Sequence, residues 1–210
     1  MLQQFFFVLI VRPLVLIVIG LNIRHRGRIP LKGPAIVVSN HNSHLDTLVL
    51  MTLLPWPLLR QLRPVAAKDY FFRNRLLAWF ALNIMHIIPL EREVIGRHQD
   101  PLAACTEALQ NGEILILFPE GSRGDPEQMG TLKTGIAHLA KRNPEVPITP
   151  IFLHGLGKAL PKGEAILVPF FCDVFIGEPI RWSGDRTSFM ITLEQGIKAL
   201  AEAGYRPAWE

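Results

Sequence analysis

Cysteine is nearly absent: Cys105 and Cys172 are the only two in 210 residues, far apart and in no metal-ligand spacing, which argues against a disulfide framework or a zinc site. Charge is also scarce, at 19% of residues against 49% hydrophobic. Such a balance excludes a disordered chain, and its apolar excess points toward a membrane. No acid occurs in residues 1–33, which hold Arg12, Arg24, Arg26, Arg28 and Lys32. That stretch carries a formal +5, more than the +4 of the whole chain, and residues 34–210 set 17 bases against 18 acids. The basic excess is therefore no nucleic-acid-binding face, and a basic cluster behind an apolar run is what anionic lipid attracts. Internal repeats and low-complexity tracts are missing too. The length suits one domain with an appendage, and a core of that size needs neither disulfide nor structural metal.

What is present begins with Phe5–Ile23, an apolar run of 19 residues. As a helix it would reach about 28 Å, close to the ~30 Å hydrocarbon core of a bilayer. Arg12 and Pro13 interrupt its middle, where an arginine costs about 2.5–3.5 kcal/mol on insertion scales and a proline removes a helix hydrogen bond. The expectation is a membrane-associating helical segment over residues 1–33, broken or tilted, with Arg24–Lys32 at the headgroups of the cytoplasmic face. Spanning and surface-lying forms stay open, and an interrupted core helix is the bland alternative. A secretory signal is not expected, since no basic region precedes the run and no small-residue cleavage motif follows.

Residues 34–210 read as a second unit of α/β class. Ala35–Ser39, Pro64–Ala67, Ile84–Leu90, Ile114–Phe118, Ile148–Leu153 and Ala165–Ile176 are strand candidates. Helical patterns cover Ser43–Leu54, Pro101–Gln110, Leu132–Arg142 and Thr187–Ala203. Alternating strands and helices imply a sheet flanked by helices, whose ligands lie beyond the carboxyl ends of the strands.

Two loops leave such ends. Asn40-His41-Asn42-Ser43-His44-Leu45-Asp46 follows the first strand. Ser43 reads as the helix N-cap, with Asp46 three residues on, where a carboxylate reaches back over the helix start toward His41. A histidine held by a carboxylate is a fixed-tautomer general base; a capped helix with incidental histidines is the plain alternative. Phe118-Pro119-Glu120-Gly121-Ser122-Arg123-Gly124 follows the apolar run ILILF. Its proline and glycines allow a tight turn with exposed N–H groups, and Arg123 can grip a phosphate; taken alone it reads as an ordinary polar loop.

Together the two loops resemble the glycerolipid acyltransferase family, of the 1-acylglycerol-3-phosphate acyltransferase type. Asn40, His41 and Asp46 match its N-H-x4-D block, and Phe118–Arg123 its F-P-E-G-[ST]-R block. Weaker likenesses are Ile87–Arg92 (IIPLER), Leu132–Ala137 (LKTGIA) and Val146–Ile151 (VPITPI), so the resemblance covers roughly residues 34–160. It implies a mixed β-sheet flanked by helices, and acyl transfer from acyl-CoA or acyl carrier protein to the free hydroxyl of a lysolipid at a membrane surface. Lysophosphatidate, giving phosphatidate, is the leading acceptor. His41 would be the base and Asp46 its partner, with no acyl-enzyme, metal or cofactor. Arg92, Glu120, Gly121, Ser122 and Arg123 would hold the phosphate-bearing acceptor, with Lys68 adding positive charge.

The sequence departs from that pattern before Arg92, where His86 takes a glycine-like place and Pro89 sits inside the block. This bears on the acceptor's head group more than on the reaction. His86 reads as a core histidine, and His44 as a rival base without an evident carboxylate. A different lysolipid is the alternative within the class; glycerol 3-phosphate fits less well. Outside it stand a metal-dependent phosphohydrolase, for which no second ligand set is visible, and a catalytically silent membrane protein.

Overall fold

The computed structural model describes residues 2–72, 74–91, 100–124, 129–159 and 171–204. Among these residues seven strands form one sheet: β1 Leu21–Arg24, β2 Ala35–Ser39, β3 Leu62–Ala67, β4 Ile88–Leu90, β5 Ile114–Leu117, β6 Ile148–His154 and β7 Cys172–Ile176. Their order is β1-β7-β6-β2-β5-β3-β4, parallel at every pairing except β6 with β7. The sheet is thus mixed and flanked by helices, as expected.

Each central strand is apolar on both sides because helices cover both faces. Alternate residues therefore enter different cores. Ala35 and Val37, with Ile114, Ile116, Ile151 and Leu153, face one cluster; Ile36, Val38, Leu115, Ile148 and Phe152 face the other. Helix α1 (Leu2–Phe6), α2 (Leu45–Leu53), the single turn α3 (Lys68–Phe71) and α4 (Arg75–Asn83) lie with the first cluster. The second is closed by α5 (Ala103–Gln110), α6 (Gly135–Arg142) and, after the short α7 (Leu156–Ala159), α8 (Arg186–Gly204).

Beyond α1 the N-terminal helix winds as π-helix over Phe7–Val11 and Leu14–Ile19, either side of Arg12 and Pro13. The N–H of Gly20 reaches back five residues to the carbonyl of Val15, at 3.1 Å. Phe7, Val11, Val15 and Ile19 recur every fourth residue, and all four are buried in the first core. Leu9 and Ile17, 68% and 81% exposed, face outward. None of the described helices is long and apolar enough to cross a membrane. The run's last residues form β1, which joins the sheet beside β7. Residues before 33 thus share both sheet and core with those after it.

Other differences are local. Of the strand expected over Ile84–Leu90 only Ile88–Leu90 is extended; Ile84 instead closes α4 through its N–H to the carbonyl of Phe80, at 2.9 Å. The strand expected over Ala165–Ile176 begins outside the described residues and is seen over Cys172–Ile176.

Candidate active site

Strands β2 and β5 are parallel neighbours, with Val38 opposite Leu117. The loops after Ser39 and Leu117 therefore leave the same end of the sheet side by side. Asn40, buried, anchors the first by a reciprocal pair: its Nδ2 donates to the carbonyl of Leu153 (2.9 Å), and its Oδ1 accepts from the N–H of Leu153 (2.8 Å). Gly124 N–H donates to the carbonyl of His41 at 2.9 Å, tying the second loop to the first.

Asp46 organises the first loop. Its Oδ2 accepts from the N–H groups of Asn42 (2.7 Å) and Ser43 (2.9 Å) and lies 2.8 Å from His41 Nδ1. The reciprocal cap expected at Ser43 is present, although the regular helix is counted from Leu45 with His44 before it. Ser43 Oγ accepts the Leu45 N–H at 3.3 Å, while Asp46 reaches back to the Ser43 N–H. It can do so because a carboxylate in the first turn meets unpaired N–H groups and the positive end of the helix dipole. Asp46 is 1% exposed and His41 keeps 20%. The His41 ring stacks on Phe118, with centroids 4.1 Å apart and planes at 21°. Its carboxylate on Nδ1 favours the tautomer protonated there, which leaves the lone pair on Nε2.

Glu120 is 5% exposed. Its Oε1 accepts the His41 N–H at 2.9 Å and its Oε2 the Gly130 N–H at 2.8 Å, so the carboxylate braces three loop segments. Gly121, Ser122 and Arg123 line a cavity of about 840 Å³ that also contains His41 and His44. Gly121 has φ +73°, and a Cβ there would fall 2.9 Å from Lys133 Nζ. A side chain would thus be strained and would collide with a cation. Lys68 does not itself line the cavity, though its neighbours Ala67 and Asp69 do, and its ammonium is 2.6 Å from Glu91, which also lines it. Arg92 lies outside the described residues.

Sequence reasoning passed over two cavity residues. Tyr70 stands between the loops: its hydroxyl is 3.4 Å from His44 Nε2, and Arg123 lies over its ring at 5.9 Å from the centroid. Lys133 belongs in sequence to a helix-start pattern, yet its N–H donates to the carbonyl of Pro119 at 2.8 Å, folding it back over the loop. The available signal was its place just before α6 and ten residues after Arg123.

Burial, then the charges of Arg123 and His41, hold the His44 imidazole below its ordinary value. His86 is likewise lowered, by burial and then by Arg63, whose Nη1 is 3.3 Å away. Its φ of +54° lies in the left-handed region that glycine favours, matching the glycine-like place assigned to it. Burial pushes the Cys105 thiol up to about 11, so it is protonated at neutral pH and no thiolate nucleophile. Among the described residues no group of three or more His, Cys, Asp and Glu is placed to hold a metal.

A family model described as Acyltransferase matches residues 20–154. The chloroplastic 1-acyl-sn-glycerol-3-phosphate acyltransferase BAT2 of Brassica napus is 34% identical over 148 residues, covering 70% of this chain and 41% of that protein. The 1-acyl-sn-glycerol-3-phosphate acyltransferase alpha of Homo sapiens is 28% identical over 170 residues, covering 79% and 57%. The chain thus spans between two-fifths and three-fifths of these curated relatives' length. In fold it is similar to the crystal structure of the 1-acyl-sn-glycerophosphate (LPA) acyltransferase PlsC from Thermotoga maritima, with TM-score 0.72, 22% identity, and coverage of 90% of this chain and 73% of that one. With the family match spanning the first strand through the sixth and both site loops, the chain belongs to the Acyltransferase family.

Proposed function

We propose that this chain transfers a fatty acyl group from acyl-CoA or acyl carrier protein to the free hydroxyl of a lysolipid, 1-acylglycerol-3-phosphate being the acceptor and phosphatidate the product. The observation that carries this is His41, held 2.8 Å from the buried Asp46 and lining one cavity with Arg123. His41 Nε2 takes the hydroxyl proton as the oxygen attacks the thioester carbonyl. The tetrahedral intermediate collapses, breaking the C–S bond, and the leaving thiolate takes the proton back from the imidazolium. Asp46 stabilises that imidazolium, and the N–H groups of Asn42 and Ser43 hold its carboxylate in place. Arg123, together with Arg92 at the end of the Ile87–Arg92 block, supplies the bidentate cationic contact that suits a phosphate. Gly121 and Ser122 shape the floor, Lys68 adds charge beside Glu91, and Glu120 acts by bracing the loop rather than by touching substrate.

The same reading places the enzyme on the cytoplasmic face of a membrane, where its soluble donors are found. The outer side of the N-terminal helix exposes Phe5, Leu9 and Ile17, and α4 exposes Leu76 and Trp79. The two helices meet through Phe6 and Phe80, whose rings contact edge-to-face at 5.2 Å and both line the cavity. Exposed Arg24, Arg26 and Lys32 follow, while Arg28 is held by Glu178 at 2.6 Å. An apolar helix face beside a basic cluster fits a surface-lying attachment to anionic lipid.

The test is thiol release by the purified chain with palmitoyl-CoA or palmitoyl acyl carrier protein against a panel of lysolipids. Lysophosphatidate should be the best acceptor. Preference for another lysolipid would move the substrate within the class. Absence of turnover with every acceptor, or chelator-sensitive phosphate release, would overturn the reading.

A further inference from the structure

The cavity does not end at the catalytic loops. It continues to the opposite face of the sheet, where Leu102, Cys105 and Leu139 of the second core line it under α5 and α6. On that side its wall is α6 and the residues leading into it: Lys133, Thr134, His138 and Arg142 all face the cavity. Thr134, His138 and Arg142 are spaced by four and share one helix face. This strip runs outward from the catalytic loop for about 12 Å, at 1.5 Å per residue. Its outer end is set by an ion pair, Arg142 Nη1 to Asp100 Oδ2 at 2.5 Å, with both side chains partly open to solvent.

We infer that this strip binds the phosphorylated pantetheine arm of the acyl donor, which places donor and acceptor on opposite faces of the sheet with His41 between them. The inference rests on the acyl-transfer reading above. The apolar surface offered to lipid, with Phe6 and Phe80, belongs to the first core. A lipid acceptor therefore arrives from that side, and a water-soluble carrier arm has the other. Lys133 stands at the inner end against Gly121, and Arg142 at the outer end can exchange Asp100 for a phosphate. Both present N–H donors of basic side chains along the cavity wall, and His138 adds a ring N–H between them. Acyl-CoA and acyl carrier protein share this phosphate, so one strip serves either.

The experiment uses the full chain with His138→Gln/Arg142→Gln and, separately, Asp100→Asn. Donor and acceptor KM are measured with palmitoyl-CoA and with palmitoyl acyl carrier protein, and coenzyme A is titrated calorimetrically. The double variant should raise donor KM about tenfold for both donors and leave acceptor KM within about twofold. Asp100→Asn should leave donor KM equal or lower, because it frees the cation that Arg142→Gln removes. A purely structural ion pair would make Asp100→Asn and the double variant behave alike, and that result would overturn the proposal. So would an unchanged donor KM, or an equal rise for the acceptor. A rise confined to palmitoyl-CoA would move the contact to its nucleotide and overturn the pantetheine assignment. Should no thioester be turned over at all, acyl transfer fails, yet the titration still decides: about tenfold weaker coenzyme A binding by the double variant supports the strip, and equal binding overturns it.

Discussion

Asp46 Oδ2 gathers three donors, the Nδ1 of His41 and the N–H groups of Asn42 and Ser43, within 2.9 Å. One oxygen thereby fixes both the base and the start of α2. His41→Ala should lower kcat by about 10²–10⁴, the usual worth of a general base, and leave the melting temperature nearly unchanged. Asp46→Asn should lower kcat because a neutral amide no longer balances the imidazolium. Asp46→Ala should additionally destabilise the fold by about 1 kcal/mol through loss of the cap. Turnover assays and thermal melts on the three variants check this. Wild-type turnover in His41→Ala would remove it as base, and loss confined to His44→Ala would transfer the role.

Glu120 behaves as a brace. Glu120→Gln keeps the size but turns an NH₂ group toward one of the two backbone donors it now satisfies. Leaving a buried donor unpaired costs about 1–3 kcal/mol, so melting temperature and kcat should fall together. A substrate-holding role would instead raise acceptor KM with the melt unchanged.

Arg123→Lys should raise KM for a phosphate-bearing lysolipid far more than for the thioester, because lysine cannot reproduce a bidentate contact and the interaction is shared by ground and transition states. Steady-state kinetics with both substrates varied decides it. A larger effect on the donor would invert the substrate assignment.

Replacing Arg24, Arg26 and Lys32 by Gln should weaken binding to anionic vesicles by about 1 kcal/mol per residue at low salt. Arg28→Gln should add less, since Glu178 already engages that cation. Co-sedimentation with vesicles of varied phosphatidylserine content measures this. Binding that ignores lipid charge and salt would contradict it.

His44 and His86 both bind protons less readily folded than unfolded. The unfolded chain therefore takes up more protons as pH falls below the ordinary imidazole value near 6.5. Their contribution is fully present above that value and is lost as pH drops through their lowered folded values. Melting temperature should decline on acidification from pH ~6.5, and the decline should flatten in His44→Gln/His86→Gln. An identical slope in wild type and double variant would refute it.

The site was legible where short-range spacing determines geometry. The five-residue separation of His41 and Asp46 brings a first-turn carboxylate back onto the preceding loop, and the ILILF run announces the strand beneath Arg123. Tyr70 was not legible, because it is one of three consecutive aromatics at a single helical turn, with nothing to single it out, and it meets Arg123 only through tertiary packing. Nor was β1: Leu21–Arg24 continues an apolar run, and its hydrogen-bond partner lies some 150 residues further on. Glu120 illustrates a different loss, since the same residue in the same motif serves equally as a ligand contact or a loop brace until its two acceptors are seen engaged.

That distant partner also orders events during synthesis. Among the described residues β1 pairs with β7 alone, with Leu21 opposite Cys172. While the intervening strands assemble, the emerging amino terminus has no strand to join, and its unpaired edge and apolar side chains stay available to whatever lies nearby. Non-local pairings of this kind close late and lengthen the aggregation-prone interval. A ribosome stalled before residue 172 would therefore hold a sheet that lacks both β7 and β1, with the apolar helix ahead of β1 untethered at its far end.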